Sequence, residues 1–127
     1  MIFLVYFKLF NESIEMLYEE ILNSEKLWQH QKDCIKSCVL YLNNFNIKSP
    51  TASLNRLPTG SGKSGIISIL ARTLEGYSNV LVLTPSITLR DQLFEDINSV
   101  FFESVLEIDN TNFAKKCIAF FPSTIKI

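Results

Sequence analysis

The segment Leu57-Pro58-Thr59-Gly60-Ser61-Gly62-Lys63-Ser64 narrows the fold before any other part of the chain is read. Gly60 and Gly62 let the backbone turn tightly, with amides pointing inward and no Cβ in the way. Such amides form a nest around the β- and γ-phosphates of a nucleoside triphosphate. Lys63 adds a positive charge to the same oxygens, and Ser64 places a hydroxyl where Mg²⁺ sits. The arrangement belongs between a strand and a helix, because the helix N-terminus contributes its partial positive charge. Both flanks fit. Residues 51–57 read as a short strand, and residues 65–74 as a helix with Ile66, Leu70 and Leu74 on one face. The general pattern opens on Gly, whereas this chain has Leu57 there, at the strand end and away from the phosphates.

A chain of 127 residues is one domain at most. Its hydrophobic fraction of 47% points to a folded core rather than disorder. Twelve basic and thirteen acidic residues leave a net charge of −1, so global charge gives no support for nucleic-acid binding and leaves only a local patch. Cys34, Cys38 and Cys117 have no metal-ligand spacing. Cys34 and Cys38 lie four apart on an expected helix and read as small core residues. His30 has no second histidine with which to share a metal. Residues 1–10 are strongly apolar but shorter than the roughly 20 residues that cross a bilayer. They also lack the basic start and cleavage site of a signal peptide. They read as a buried strand or packing segment, with no membrane partner and a cytoplasmic location expected.

Apolar periodicity supplies the rest of the outline. Residues 12–22 read as an amphipathic helix with Ile14, Leu17, Tyr18, Ile21 and Leu22 on one face. Residues 29–45 repeat the pattern through Ile35, Cys38, Val39, Leu42 and Phe45, and residues 43–50 read as a loop. Val80, Leu81, Val82 and Leu83 form a continuous apolar run, as in a parallel strand covered on both faces. Ser86 is placed to cap a following helix lined by Leu89, Leu93, Ile97, Val100 and Phe101. Residues 116–121 read as a final strand. Strands alternating with helices imply an α/β fold with a mainly parallel sheet. The organisation expected is a front segment at 1–50 and an incomplete nucleotide-binding domain at 51–127.

Three blocks together resemble the first RecA-like domain of superfamily 2 helicases, nearest the type III and type I restriction-enzyme and DEAD/DEAH-like branch. Residues 58–64 match the family's first motif. Residues 81–92 resemble the next, in which a strand ends in Thr84-Pro85 and Leu and Gln follow on the helix. Leu27-Trp28-Gln29-His30-Gln31 resembles an upstream block whose Gln recognises adenine, although Trp28 stands where the family has Arg. The resemblance covers residues 27–95 or so. It implies a partial RecA-like P-loop NTPase domain, a mainly parallel sheet flanked by helices, and an N-terminal helical segment. It implies ATP and Mg²⁺ as cofactors, held by Thr59, Gly60, Ser61, Gly62, Lys63 and Ser64, with Lys63 and Ser64 in the catalytic machinery and Ser64 on the metal. Gln31 would meet the adenine edge, since a carboxamide donates and accepts at once. Thr84, Ser86 and Arg90 would face a nucleic-acid backbone, DNA ahead of RNA, in an intact protein that includes the remainder of a larger helicase or restriction complex.

One family feature is missing. The second motif is an apolar strand ending in Asp-Glu, which holds Mg²⁺ and positions the attacking water. Val105-Leu106-Glu107-Ile108-Asp109 is the nearest candidate, and it fails because Glu107 interrupts the apolar run and Asn110 follows Asp109. The family's arginine motif and second domain are also absent from the sequence, so the chain reads as a truncated product or fragment. Three functions are therefore open. The first is the ATP-binding part of a helicase or restriction-type DNA translocase. The second is a catalytically inactive nucleotide-binding or protein-interaction module. The third is an unrelated phosphate-loop protein such as a small kinase or transporter ATPase, which typically lacks the Pro58-Thr59 and Thr84-Pro85 features.

Overall fold

The computed structural model describes residues 3–8, 15–49, 51–73 and 77–108. Its elements are β1 (Phe3–Lys8), α1 (Glu15–Leu22), α2 (Gln29–Asn43), α3 (Lys63–Thr73), β2 (Tyr77–Leu83), α4 (Ile87–Glu95) and a π-helix (Asp96–Val105). The Leu74 expected on α3, the Ile14 expected on α1 and the strand expected at 116–121 lie outside the described residues.

Helix α3 is the centre of the packing because its sequence is apolar or small on every side. Each residue from Gly65 to Thr73 is buried. Ile66, Ile69 and Leu70 face one core, and Ile67 and Ala71 face another. A helix that is apolar all round belongs inside a protein. Two hydroxyls go inside with it and are satisfied locally: Ser68 Oγ donates to the Ser64 carbonyl (2.7 Å) and Thr73 Oγ1 to the Ile69 carbonyl (2.6 Å). The one-faced pattern expected from Ile66 and Leu70 therefore describes half of this helix.

The first core joins α3 to Ile21 and Leu22 of α1, Leu27, Ile35 of α2, and Phe101, Phe102 and Leu106. Cys34, Cys38, Val39 and Leu42 pack at its margin. Burial pushes the Cys38 thiol up to about 12, with the Cys34 thiol beside it adding to the shift. Burial raises Cys34 as well. Both thiols therefore stay protonated near neutral pH and behave as small apolar groups. Phe45 does not join this face. Helix α2 ends at Asn43, and Phe45 is left exposed with an edge-on contact to Tyr41 at 6.1 Å between ring centroids.

The second core packs Val80 and Val82 of β2 and Leu89, Leu93 and Ile97 against the other side of α3. Here the structure corrects two expectations. Strand β2 pairs antiparallel with β1, from Phe3↔Leu83 to Lys8↔Tyr77, with an irregularity between Phe7 and Lys8. No parallel pair forms among the described residues. Residues 51–57, expected to be a strand, join no ladder. They run back along α2 instead. Tyr41 Oη bonds Thr51 Oγ1 at 2.8 Å, and the Cys34 thiol lies 3.9 Å from Asn55 Oδ1. The physical reason is that Thr51, Ser53 and Asn55 offer polar groups rather than β-branched apolar ones, while Leu54 stays exposed.

Helix α4 continues into the π-helix without a break, closing with Leu106 N–H donating to the Phe101 carbonyl at 3.1 Å, five residues back. The wider turn changes which side chains face inward. Ile97, Phe101, Phe102 and Leu106 are buried, whereas Val100, expected inside from a 3.6-residue period, is exposed. Arg72 reaches across from α3, and its Nη1 donates to the carbonyls of Ile97 (2.9 Å) and Asn98 (3.1 Å). Its guanidinium carbon lies 5.9 Å from the centre of the Phe102 ring. The π-helical register makes a direct prediction. Phe102→Ala should cost about 3–5 kcal/mol by emptying a fully buried site. Val100→Ala should stay within about 0.5 kcal/mol. Urea denaturation of the two variants checks the contrast, and equal losses would return Val100 to the core.

Candidate phosphate-binding site

The loop from Pro58 to Gly62 lies between the segment along α2 and the first turn of α3. Gly60 and Gly62 both have φ near 80°, in the left-handed region that side chains rarely adopt. Ser61 N–H donates to the Pro58 carbonyl (3.3 Å) and Ile66 N–H to the Gly62 carbonyl (3.3 Å), so the turn runs directly into the helix. The two glycines differ in surroundings. A Cβ on Gly60 would meet open space, whereas one on Gly62 would collide with the Gln31 amide nitrogen and lie 3.6 Å from Trp28 Cζ3.

Helix α2 grips this loop from outside. Gln31, buried at 5% exposure, donates from Nε2 to the Gly62 carbonyl (3.0 Å). Its Oε1 accepts from the Trp28 backbone N–H (3.0 Å) at the start of α2. That second bond is half of a capping box. Trp28 has no side-chain acceptor to complete it. His30 takes the preceding loop carbonyl, with Nε2 2.5 Å from Ser61 O. A carbonyl can only accept, so that ring nitrogen carries the proton. Gly65, just inside α3, lets Phe101 and Gln31 approach, since a Cβ there would run into the Phe101 ring.

The polar groups expected to handle phosphate are placed as follows. Lys63 opens α3 and is exposed, and no carboxylate pairs with it among the described residues. Ser64 is half-buried on the same turn. Ser61 is buried, and its Oγ has no hydrogen-bond partner among the described residues. Thr59 lies in the turn that precedes Gly60. An orphaned buried hydroxyl, two left-handed glycines and an unpaired cation at a helix N-terminus are a donor set that fits a triphosphate with its Mg²⁺. Among the described residues no cluster of His, Cys, Asp and Glu could hold a metal by itself.

The junction after β2 is engaged within its own turn. Ser86 caps α4, its Oγ accepting from Leu89 N–H at 3.2 Å, and Thr84 Oγ1 donates to the Ser86 carbonyl at 3.1 Å. Arg90 Nε donates to Asp91 Oδ1 at 2.8 Å. Glu107 follows the π-helix with φ 57° and pairs with Lys26 at 3.7 Å on the surface. It ends a helix, not a strand. Asp109 and Cys117 lie outside the described residues.

Sequence reasoning overlooked His30 and Phe101 as neighbours of the loop. Gln31 carried a signal and His30 a weaker one, as the residue beside it. Nothing in the local pattern announced Phe101, whose place depends on the π-helical turn.

The loop thus joins two left-handed glycines to the N-terminus of a buried helix. The family of the type III restriction enzyme res subunit matches residues 24–125, and the chain belongs to that family. It is a superfamily 2 helicase-like family with a RecA-like fold, and its restriction-type function is ATP-dependent. No curated protein and no solved structure matches the chain. No helix among the described residues is long and apolar enough to cross a membrane.

The unequal glycines generate a test. Both Gly60→Ala and Gly62→Ala incur the left-handed strain of about 1–2 kcal/mol. Gly62→Ala must also displace Gln31, so it should destabilise the chain measurably more in a thermal melt. Equal shifts in Tm would show that Gln31 does not hold the loop.

Proposed function

We propose that this chain binds ATP and Mg²⁺ at Gly60–Ser64 and forms the ATP-binding part of a helicase-like, restriction-type translocase acting on DNA. The observation that carries the reading is Lys63, exposed and without a carboxylate partner among the described residues, at the mouth of a buried helix behind two left-handed glycines. In this reading Thr59, Gly60, Ser61, Gly62 and Lys63 hold the phosphates and Ser64 meets the metal. Ser64 would hold Mg²⁺, which when bound would supply charge neutralisation to the triphosphate. Lys63 and Ser64 are the members of the catalytic machinery that this sequence contains. Gln31 reads the adenine edge with the amide proton and lone pair that its two backbone bonds leave over. Thr84, Ser86 and Arg90 meet a nucleic-acid backbone. Residues 1–50 form a front piece that brings Gln31 to the loop. Residues 51–127 contribute to a RecA-like domain of the intact cytoplasmic protein.

Calorimetry with Mg-ATP tests the binding. Lys63→Ala removes a charge-assisted contact and should cost about 1.5–3 kcal/mol. Gln31→Ala should weaken ATP more than GTP, beyond a loss common to both from the freed loop. Equal ATP affinity in the wild type and Lys63→Ala would end the proposal.

A second reading, a catalytically inactive nucleotide-binding or interaction module, is favoured by the lack of an Asp-Glu strand end in the sequence and by the surface position of Glu107. Phosphoryl transfer needs a positioned water and charge neutralisation as well as a phosphate loop. The 127-residue chain should therefore release phosphate more slowly than about once per minute, with or without DNA, since an arginine finger alone is worth roughly 10³–10⁵ in rate. Faster release that Lys63→Ala abolishes would show that the chain holds its own catalytic acid, with Glu107 and Asp109 the first residues to replace.

A further inference from the structure

Cys34 and Cys38 stand four residues apart on α2, on the face that packs at the margin of the first core. Residues at this spacing are neighbours on a helix, one turn above the other. The two thiols meet there, the Cys38 S–H donating to the Cys34 sulfur. Cys34 Sγ also lies 3.9 Å from Asn55 Oδ1. Both thiols are free and half-buried, so each keeps part of its surface open to solvent.

What such a pair can hold is narrow. A disulfide needs Cβ atoms about 3.5–4.5 Å apart. Neighbours at this helical spacing stand about 5–6 Å apart, so closing the bond would distort α2. A zinc ion typically takes three or four protein ligands. Among the described residues no third His, Cys, Asp or Glu joins the pair. A linear two-sulfur metal ion holds its sulfurs on opposite sides, farther apart than two thiols in contact. What remains is a soft, pyramidal atom that takes two sulfurs on one side and brings its third substituent with it. Trivalent arsenic bearing one organic group is such an atom.

We infer that Cys34 and Cys38 form a two-thiol site for a monosubstituted trivalent arsenical, which bridges two turns of α2 with the helix intact. The arsenical enters as its oxide. Two As–S bonds form, the bonding of arsenic to oxygen breaks, and the two thiol protons leave with that oxygen as water. Arsenic stays trivalent, so the step needs neither oxidant nor reductant. The site is independent of nucleotide binding at Gly60–Ser64.

Phenylarsine oxide and the full chain provide the test. One arsenical should bind per chain and consume two of its three thiols. Lys36 lies between the two cysteines, so trypsin should release residues 33–36 and 37–48 joined only through arsenic, as a single mass. Cys34→Ala and Cys38→Ala should each weaken binding by roughly 100- to 10,000-fold, the usual gain of a second attachment. Cys117→Ala should leave it unchanged. Circular dichroism establishes that the variants are folded, and it should show the same helix content in the wild type with and without the arsenical. Ethanedithiol should strip the bound arsenic, and an equal concentration of a monothiol should not. The peptide mass and the dithiol reversal need no variant. Any of four results would overturn the site: consumption of one thiol only, unlinked tryptic peptides, loss of binding in Cys117→Ala, or a fall in helix content as the arsenical binds.

Discussion

The burial of α3 on all sides is the constraint from which the rest of the structure follows. A helix with Ile66, Ile69 and Leu70 on one side and Ile67 and Ala71 on the other must be enclosed between two groups of elements. Helices α1 and α2 enclose one side, and β2 and α4 the other. The π-helix closes the first core with Phe101 and Phe102. Gly65 sets how closely these groups approach, because it leaves room for Phe101 and Gln31 against the first turn of α3. The same turn carries Lys63 and Ser64. The packing of the protein and the placing of Lys63 and Ser64 are therefore one arrangement.

Around that turn the chain separates polar groups by role. Gln31 and His30 are used on backbone atoms of the loop, and Ser86 on the first turn of α4. Lys63 and the Ser61 hydroxyl have no such use among the described residues. The buried Gln31 and the exposed His30 hold the loop by its carbonyls, and the groups left over are one exposed cation and one buried hydroxyl.

Much of this was legible in the sequence where a local rule dominates. Helix α2 and the cap at Ser86 came from periodicity and capping chemistry, and the left-handed Gly60 and Gly62 from the loop motif. What was not legible depends on tertiary partners. Residues 51–57 read as a strand because the motif calls for one, but their polar side chains found α2 first. The apolar run of β2 suggested a parallel neighbour, whereas β1 is its antiparallel partner. Val100 was placed inside by a 3.6-residue period that the π-helical turn does not obey. Gln31 was read for what its carboxamide could offer a base. The pattern gave no hint that both of its polar atoms already hold backbone groups.

The two carbonyls that α2 takes from the loop, those of Ser61 and Gly62, are consecutive. A peptide unit is planar and trans, so its N–H points opposite to its C=O. Drawing these carbonyls toward His30 and Gln31 turns the amides of Gly62 and Lys63 away from α2, as a pair. Helix α2 thus fixes the direction of two backbone dipoles without touching either N–H. The polarity of the loop is set by a lever one peptide plane long, and its fulcrum is a helix remote from it in sequence.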